Sequence, residues 1–171
     1  TGLTSITIPE GVAHIGYEAF SGCTSLTNVN IPESVVSIGA NAFFKCNVLT
    51  NITIPTSVTD IGKYAFAYTG LTSITIPEGV TRINDYTFYD CQRLTSVTIP
   101  KSVTKIGKSA FGNCTALKSI TIPASVTSIG LSSFESCEQL KNIKYEGTKE
   151  PICEPQTFLD TKINIYTGET K

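Results

Sequence analysis

The sequence predicts a repeat solenoid, mainly β, with parallel strands on one side and short helical turns on the return half. Three observations predict it. Prolines recur at Pro9, Pro32, Pro55, Pro77, Pro100 and Pro123, 23 residues apart except for one step of 22 between Pro55 and Pro77. Apolar columns hold register with them: Leu26, Leu49, Leu71, Leu94, Leu117 and Leu140; Ile31, Ile54, Ile76, Ile99 and Ile122; Phe20, Phe43, Phe66, Phe88, Phe111 and Phe134. A glycine column, Gly16, Gly39, Gly62, Gly107 and Gly130, is broken once by Asn84. A unit this short cannot bury its own apolar face, so units of fixed period stack on one another.

The stretch 94–116, LTSVTIPKSVTKIGKSAFGNCTA, serves as the type unit. It opens with a strand: after Leu94, the alternation puts Val97 and Ile99 on one face and Ser96 and Thr98 on the other. Pro100 has no N–H for a ladder and holds the residue before it extended, so the strand ends there and a turn begins. On the return half Val103 and Ile106 point inward, and the spacing of Ala110, Phe111 and Cys114 predicts one helical turn lying on the core. Asparagine is the usual non-glycine occupant of left-handed backbone, so Asn84 in the glycine column predicts a positive φ there. Gly62-Lys63 and Gly107-Lys108 lack the upstream glycine of a phosphate-binding loop and are read as backbone geometry.

The unit LxxIxIPxxVTxIGxxAFxxC, as it stands at Leu94 to Cys114 and Leu117 to Cys137, closely resembles the BspA-like, treponemal-type leucine-rich repeat. The resemblance covers Thr1 to about Tyr145 and rests on several fixed positions recurring over six copies. It implies a leucine-rich-repeat horseshoe with its parallel sheet on the concave side. It also implies a secreted or surface-anchored protein of bacteria or some protists, in a class that often serves as adhesins for host or bacterial proteins. It transfers no catalytic residue, because the motif contains none.

Two segments are expected: six repeats over 1–145 and a C-terminal capping repeat over 146–171. Ile143 and Tyr145 still alternate as a strand, Glu146-Gly147 replaces the proline turn, Ile152 and Phe158 keep core columns, and Ile163-Asn164-Ile165-Tyr166 predicts a last strand. A terminal repeat must cover the open core with a more polar unit. Nothing comparable precedes Leu3, so the N-terminal end reads as a cut through a longer array or one lacking its capping unit.

A net charge of −1 with 16% charged residues leaves no basic face to neutralise a phosphate backbone, which argues against nucleic acid. No apolar run approaches the length of a membrane span, and there is no leader sequence in this segment. Cys23, Cys46, Cys91, Cys114 and Cys137 each follow the repeat phenylalanine by three, with Thr69 at that position in the short repeat. Stacked coils lie about 4.8 Å apart, but side chains of one column point the same way, so these read as buried thiols rather than disulfides. Ligands 23 residues apart match no zinc-site spacing. Cys153 is out of register and read as exposed, with a bond to Cys137 the lesser reading.

No catalytic constellation is expected. The single histidine, His14, has no recurring cysteine or carboxylate beside it and reads as a surface residue. Asn51-Ile-Thr53 and Asn113-Cys-Thr115 match a glycosylation acceptor by chance in a threonine-rich chain.

Two surfaces remain. Phe44, Tyr64, Tyr68, Tyr86 and Tyr89 fall at non-core positions of the return half, flanked by Lys45, Lys63, Asp85 and Asp90. Tyrosine beside charge is the composition of binding hot spots, although such rings also cover neighbouring coils, and this cluster is the first candidate contact site. The outward residues of the strands, among them Asn28, Asn30, Asn51, Thr53, Thr75 and Thr98, form a small polar face that also suits a parallel sheet for structural reasons; they are secondary candidates. An ice-binding reading of that face is disfavoured by its curvature. The expected function is non-catalytic binding of an extracellular or surface protein, without cofactor, metal or membrane insertion. The competing reading is a spacer that projects another domain and has no partner of its own.

Overall fold

The computed structural model of the chain describes residues 2–160 and 164–167. Most coils contribute two short strands, so two parallel ladders run along the stack. The first ladder comprises β1 (Ser5–Thr7), β3 (Asn28–Asn30), β6 (Ser73–Thr75), β8 (Ser96–Thr98), β10 (Ser119–Ile122), β12 (Asn142–Tyr145) and β14 (Asn164–Thr167). The second comprises β2 (His14–Ile15), β4 (Ser37–Ile38), β5 (Asp60–Ile61), β7 (Arg82–Ile83), β9 (Lys105–Ile106), β11 (Ser128–Ile129) and β13 (Ile152–Cys153). All pairing is parallel and in repeat register, with Ser73 opposite Ser96 and Ile74 opposite Val97. The second ladder is not visible in the sequence, because two-residue strands leave too short a stretch for alternation to register.

The core is the set of columns the sequence marks. Leu26, Leu49, Leu71, Leu94, Leu117 and Leu140 are fully buried, as are Phe43, Phe66, Phe88, Phe111 and Phe134. The phenylalanine rings form one continuous stack from Phe20 to Phe158, with centroids 5.3 to 5.6 Å apart and planes within 13°. At each of the six repeat prolines the carbonyl accepts the N–H three residues on, as from Val80 to Pro77 at 3.0 Å and Val103 to Pro100 at 3.1 Å, which closes the turn the proline begins.

Four expectations are corrected. The return half is a run of turns, not helical turns. Alternate N–H groups leave for the next coil, as from Asn41, Phe43 and Lys45 to the carbonyls of Lys63, Ala65 and Ala67. Those between bond three residues back within the coil, as from Ala42, Phe44 and Cys46 to Gly39, Asn41 and Phe43. A helix would keep every N–H for itself, whereas this pattern divides them between coil and stack. The spacing of Ala110, Phe111 and Cys114 is compatible with both.

The glycine column does not have positive φ. Left-handed backbone falls instead two and six places after it, at Asn41 and Lys45, Tyr64 and Tyr68, Tyr86 and Asp90, and Ser109 and Asn113. Glycine is needed for close approach: a Cβ at Gly39 would lie 2.7 Å from the carbonyl carbon of Gly16. Asn84 enters the column by substituting its own amide, Nδ2 donating to the Ile61 carbonyl at 2.6 Å, where Gly62 and Gly107 donate a backbone N–H to Ile38 and Ile83.

Neither ladder is one continuous sheet. The first divides into β1-β3, β6-β8 and β10-β12-β14, and the second into β2-β4-β5 and β7-β9-β11-β13. Residues 51–54 form no strand, and pairing lapses between β5 and β7. Of the three breaks, those between β3 and β6 and between β5 and β7 adjoin the 22-residue coil, and the third falls between β8 and β10.

Ile152, finally, is exposed and not in a core column. It lies opposite Ser128, and Cys153, itself exposed, stands opposite Ile129. The inserted residue falls before this strand, so the column moves on by one. Phe158 keeps its place on Phe134. The expected last strand is present as β14, while Ile163 lies outside the described residues.

Candidate functional site

Two turn positions per coil are left-handed, and the coils fill them variously, with Asn41, Asp90, Asn113 and Asp160, whose types tolerate it best, with Gly22, Ser109, Ser132 and Ser136, and with the longer Glu18, Lys45 and Gln156. The third and fourth coils place Tyr64, Tyr68 and Tyr86 there, with φ of 57°, 59° and 58°. A bulky ring in left-handed backbone is an outlier costing on the order of 1 kcal/mol or more.

These rings meet. Tyr64 stacks flat on Tyr86 at 4.5 Å with planes 3° apart, and Phe44 lies edge-on to Tyr64 at 6.4 Å and to Tyr68 at 5.4 Å. Tyr89 closes the group, edge-on to Tyr68 and to Tyr86, each at 5.7 Å. The five sequence-marked residues therefore form one contiguous cluster of half-buried rings spanning the second to fourth coils. It crosses the line where the second ladder lapses.

Charge surrounds the rings. Lys45 Nζ lies 5.2 Å from the Phe44 centroid and 5.9 Å from that of Tyr68, and Lys108 Nζ 5.7 Å from that of Tyr86. Such contacts contribute about 0.5–1 kcal/mol at exposed sites. Lys63 pairs with Asp85 at 2.8 Å. Partial burial pushes the Asp85 carboxyl up. The hydrogen bonds from Lys63 and the Lys108 N–H, with the charges of Lys63 and Arg82, outweigh this and leave it below the ordinary carboxylate value. Burial raises the phenols of Tyr64, Tyr68 and Tyr89, so they stay neutral and able to donate at physiological pH. Lys108 is held up by its hydrogen bond with Tyr86.

The secondary candidates do not gather into a comparable group. Asn28, Asn30, Asn51, Thr53, Thr75 and Thr98 are all exposed along the first ladder or, for Asn51 and Thr53, in its gap. Asn28 Nδ2 reaches Ser5 Oγ at 3.4 Å, a sideways bond along the stack. Thr75 and Thr98 border an open groove of about 700 Å³ walled by Pro77 and Pro100. His14 is exposed in β2 and hydrogen-bonded with Ser37 Oγ at 2.8 Å.

Cys46, Cys91, Cys114 and Cys137 are buried, and each thiol donates to the carbonyl of the preceding coil's phenylalanine at 3.1 to 3.3 Å. In the short coil, Thr69 Oγ1 donates to Phe66 instead. Burial pushes the Cys46 and Cys137 thiols up to about 12 and that of Cys91 to about 11. These are structural donors. Cys153 is exposed and, among the described residues, in no disulfide.

Sequence reasoning finds the ring cluster but misses a depression beside it of about 420 Å³, over the one-residue deletion at Thr69-Gly70. The 22-residue step is the signal that could have found it.

No curated protein matches the chain. Among solved structures, a leucine-rich repeat protein from Bacteroides ovatus ATCC 8483 is similar, at 34% identity and TM-score 0.86, over 94% of this chain and 42% of that one. A leucine rich cell surface protein from Faecalibacterium prausnitzii A2-165 matches at 27% identity and TM-score 0.50, over 99% of this chain and 61% of that one. A leucine rich repeat protein of T. pallidum matches at 28% and 0.51, over 82% and 57%. The chain thus spans less than two thirds of the length of each. The family model for the BspA type leucine rich repeat region matches residues 1–69 and 59–169, in six copies. With the 23-residue register, the paired ladders and this match in agreement, the chain belongs to the BspA-type leucine-rich repeat family.

Proposed function

We propose that this chain is a non-catalytic, protein-binding module of an adhesive protein at a cell surface, and that the cluster of Phe44, Tyr64, Tyr68, Tyr86 and Tyr89 is its contact site. The observation that carries the reading is the backbone of the tyrosines. Three of them occupy left-handed positions that no other coil fills with an aromatic ring and that Asn41, Asn113 and Gly22 fill at lower cost, and residues held against such strain concentrate at functional sites. Large rings with neutral hydroxyls and cations at their rim suit a protein surface that is partly apolar and partly acidic. The similar F. prausnitzii protein is a leucine rich cell surface protein, which supports the surface location.

The spacer reading has one observation of its own. The cluster crosses the break between β5 and β7, so the rings also hold together coils whose strand pairing has lapsed. Capture separates the two. Immobilised wild type, exposed to an extracellular protein fraction, should retain a partner identifiable by mass spectrometry, and the Tyr64→Ser/Tyr68→Ser/Tyr86→Ser variant should lose it while remaining folded. Equal retention by both chains would remove the cluster as the contact site.

A further inference from the structure

The third coil is one residue short, and the loss falls at the corner between its turns and its strand. Other coils carry two residues between the cysteine column and the next leucine, as in Cys46-Asn47-Val48-Leu49 and Cys91-Gln92-Arg93-Leu94. The third has Thr69-Gly70-Leu71. Its neighbours project past it, and the result is the open depression of about 420 Å³. Gly70 and Thr69 are buried on its floor. A Cβ at Gly70 would collide with the Asn47 carbonyl oxygen, so the corner is drawn inward as far as the backbone allows.

The rim has two rows. Lys45, Tyr68 and Asp90 occupy the same turn position in successive coils, all left-handed, and therefore stand side by side along the stack. Asn47 and the exposed pair Gln92 and Arg93 form the facing row. The lining thus offers one aromatic wall, two amides, the Thr24 hydroxyl at its far end and one carboxylate, the last already accepting from Asn113 Nδ2 at 2.9 Å. It also offers two cations, Lys45 and Arg93. An apolar ligand would leave most of these groups unpaired, and an inorganic anion would use only the cations. A ring bearing several hydroxyls and one carboxylate engages the aromatic wall, both amides, the carboxylate and Arg93, while Lys45 stays over the Phe44 and Tyr68 rings. Its apolar face would rest on Tyr68, its hydroxyls would meet Asn47, Gln92 and Asp90, and its carboxylate would pair with the planar fork of Arg93.

We propose that the depression over Thr69-Gly70 binds one acidic sugar residue, a uronate or sialate, as the terminus of a glycan. The site shares Tyr68 with the ring cluster but needs neither Tyr64 nor Tyr86, so it stands or falls apart from the protein-contact reading.

Amide spectra of the ¹⁵N-labelled chain, titrated with glucuronate, galacturonate and N-acetylneuraminate, test it. One of the three should shift the amides of Gly70, Gln92 and Arg93 with a Kd on the order of 1 mM, as befits a ligand of this size in an open site. Arg93→Ala should weaken binding about tenfold. Inserting one serine after Gly70, which restores the 23-residue period, should abolish it. Tyr64→Asn with Tyr86→Asn should leave it within about twofold, since a smaller ratio reflects no lost hydrogen bond. If the insertion unfolds the chain, Arg93→Ala and Asn47→Ala, both at exposed positions, still decide the matter. No shift at about 50 mM of any of the three acids would overturn the proposal, because affinity that weak reflects no built site. Equal binding of glucose would overturn the acidic assignment, and equal binding of N-acetylglutamate would reassign the site to acidic peptide.

Discussion

Left-handed turn positions concentrate the information in this chain, because the coil fixes their backbone but not their side chains, and outside the third and fourth coils none carries an aromatic ring. Tyr64 and Tyr86 are departures. Replacing either by asparagine removes a stacked ring worth about 0.5–1.5 kcal/mol but relieves strain of similar size, so the net cost should stay under about 1 kcal/mol in denaturant unfolding. The buried cysteines make the opposite case. They donate to neighbouring carbonyls, and their pKa values rise to about 11 or 12 while an unfolded thiol stays near 9. A raised folded pKa means the folded chain holds its proton longer. That stability is fully present below pH 9 and is lost as pH climbs through 9 toward 12, because the unfolded state ionises first. Melting temperatures at pH 7, 9 and 10.5 should fall in that order. Iodoacetamide at neutral pH should modify Cys153 in the native chain and leave the buried column untouched until denaturant is added.

At the scale of the element, the glycine column is a matter of distance between coils. A Cβ at Gly16 would meet nothing within 4 Å, whereas one at Gly39 or Gly107 would lie 2.7 Å from the backbone of the coil before. Gly16→Ala should therefore leave the melting temperature nearly unchanged, and Gly39→Ala should cost about 1–3 kcal/mol as overpacking. Equal effects at both would refute close approach as the cause. The column itself was legible in the sequence, but its cause was not. Asn84 is compatible with positive φ and with an amide replacing a backbone donor, and only the bond to Ile61 distinguishes them. Strands such as β3 and β8, which follow Leu26 and Leu94, were legible because alternation and a following proline agree. The turns of the return half were not, since inward residues spaced one and four apart fit a helix and a turn ladder alike. The two-residue strands of the second ladder carry too few residues to show a period, and the shift at Ile152 came from one inserted residue that only pairing to Ser128 locates.

For the whole molecule, the columns of leucine, isoleucine and phenylalanine make a rod whose coils depend on their neighbours, and the stacked rings run unbroken past the point where strand pairing lapses. The ring cluster was legible as composition beside charge, and its contiguity across three coils follows directly from the register. The depression over Gly70 was written only as a missing residue. Phe88→Ala should cost about 3 to 5 kcal/mol, because it opens a cavity in the middle of the stack. If the tyrosines are held for a partner and not for the coil, their loss should barely weaken the rod, and denaturant unfolding of the Tyr64→Asn/Tyr86→Asn double variant beside Phe88→Ala decides between the two. The double variant should unfold within about 1 kcal/mol of wild type. A loss approaching that of Phe88→Ala would contradict the contact reading and make the cluster a staple across the seam.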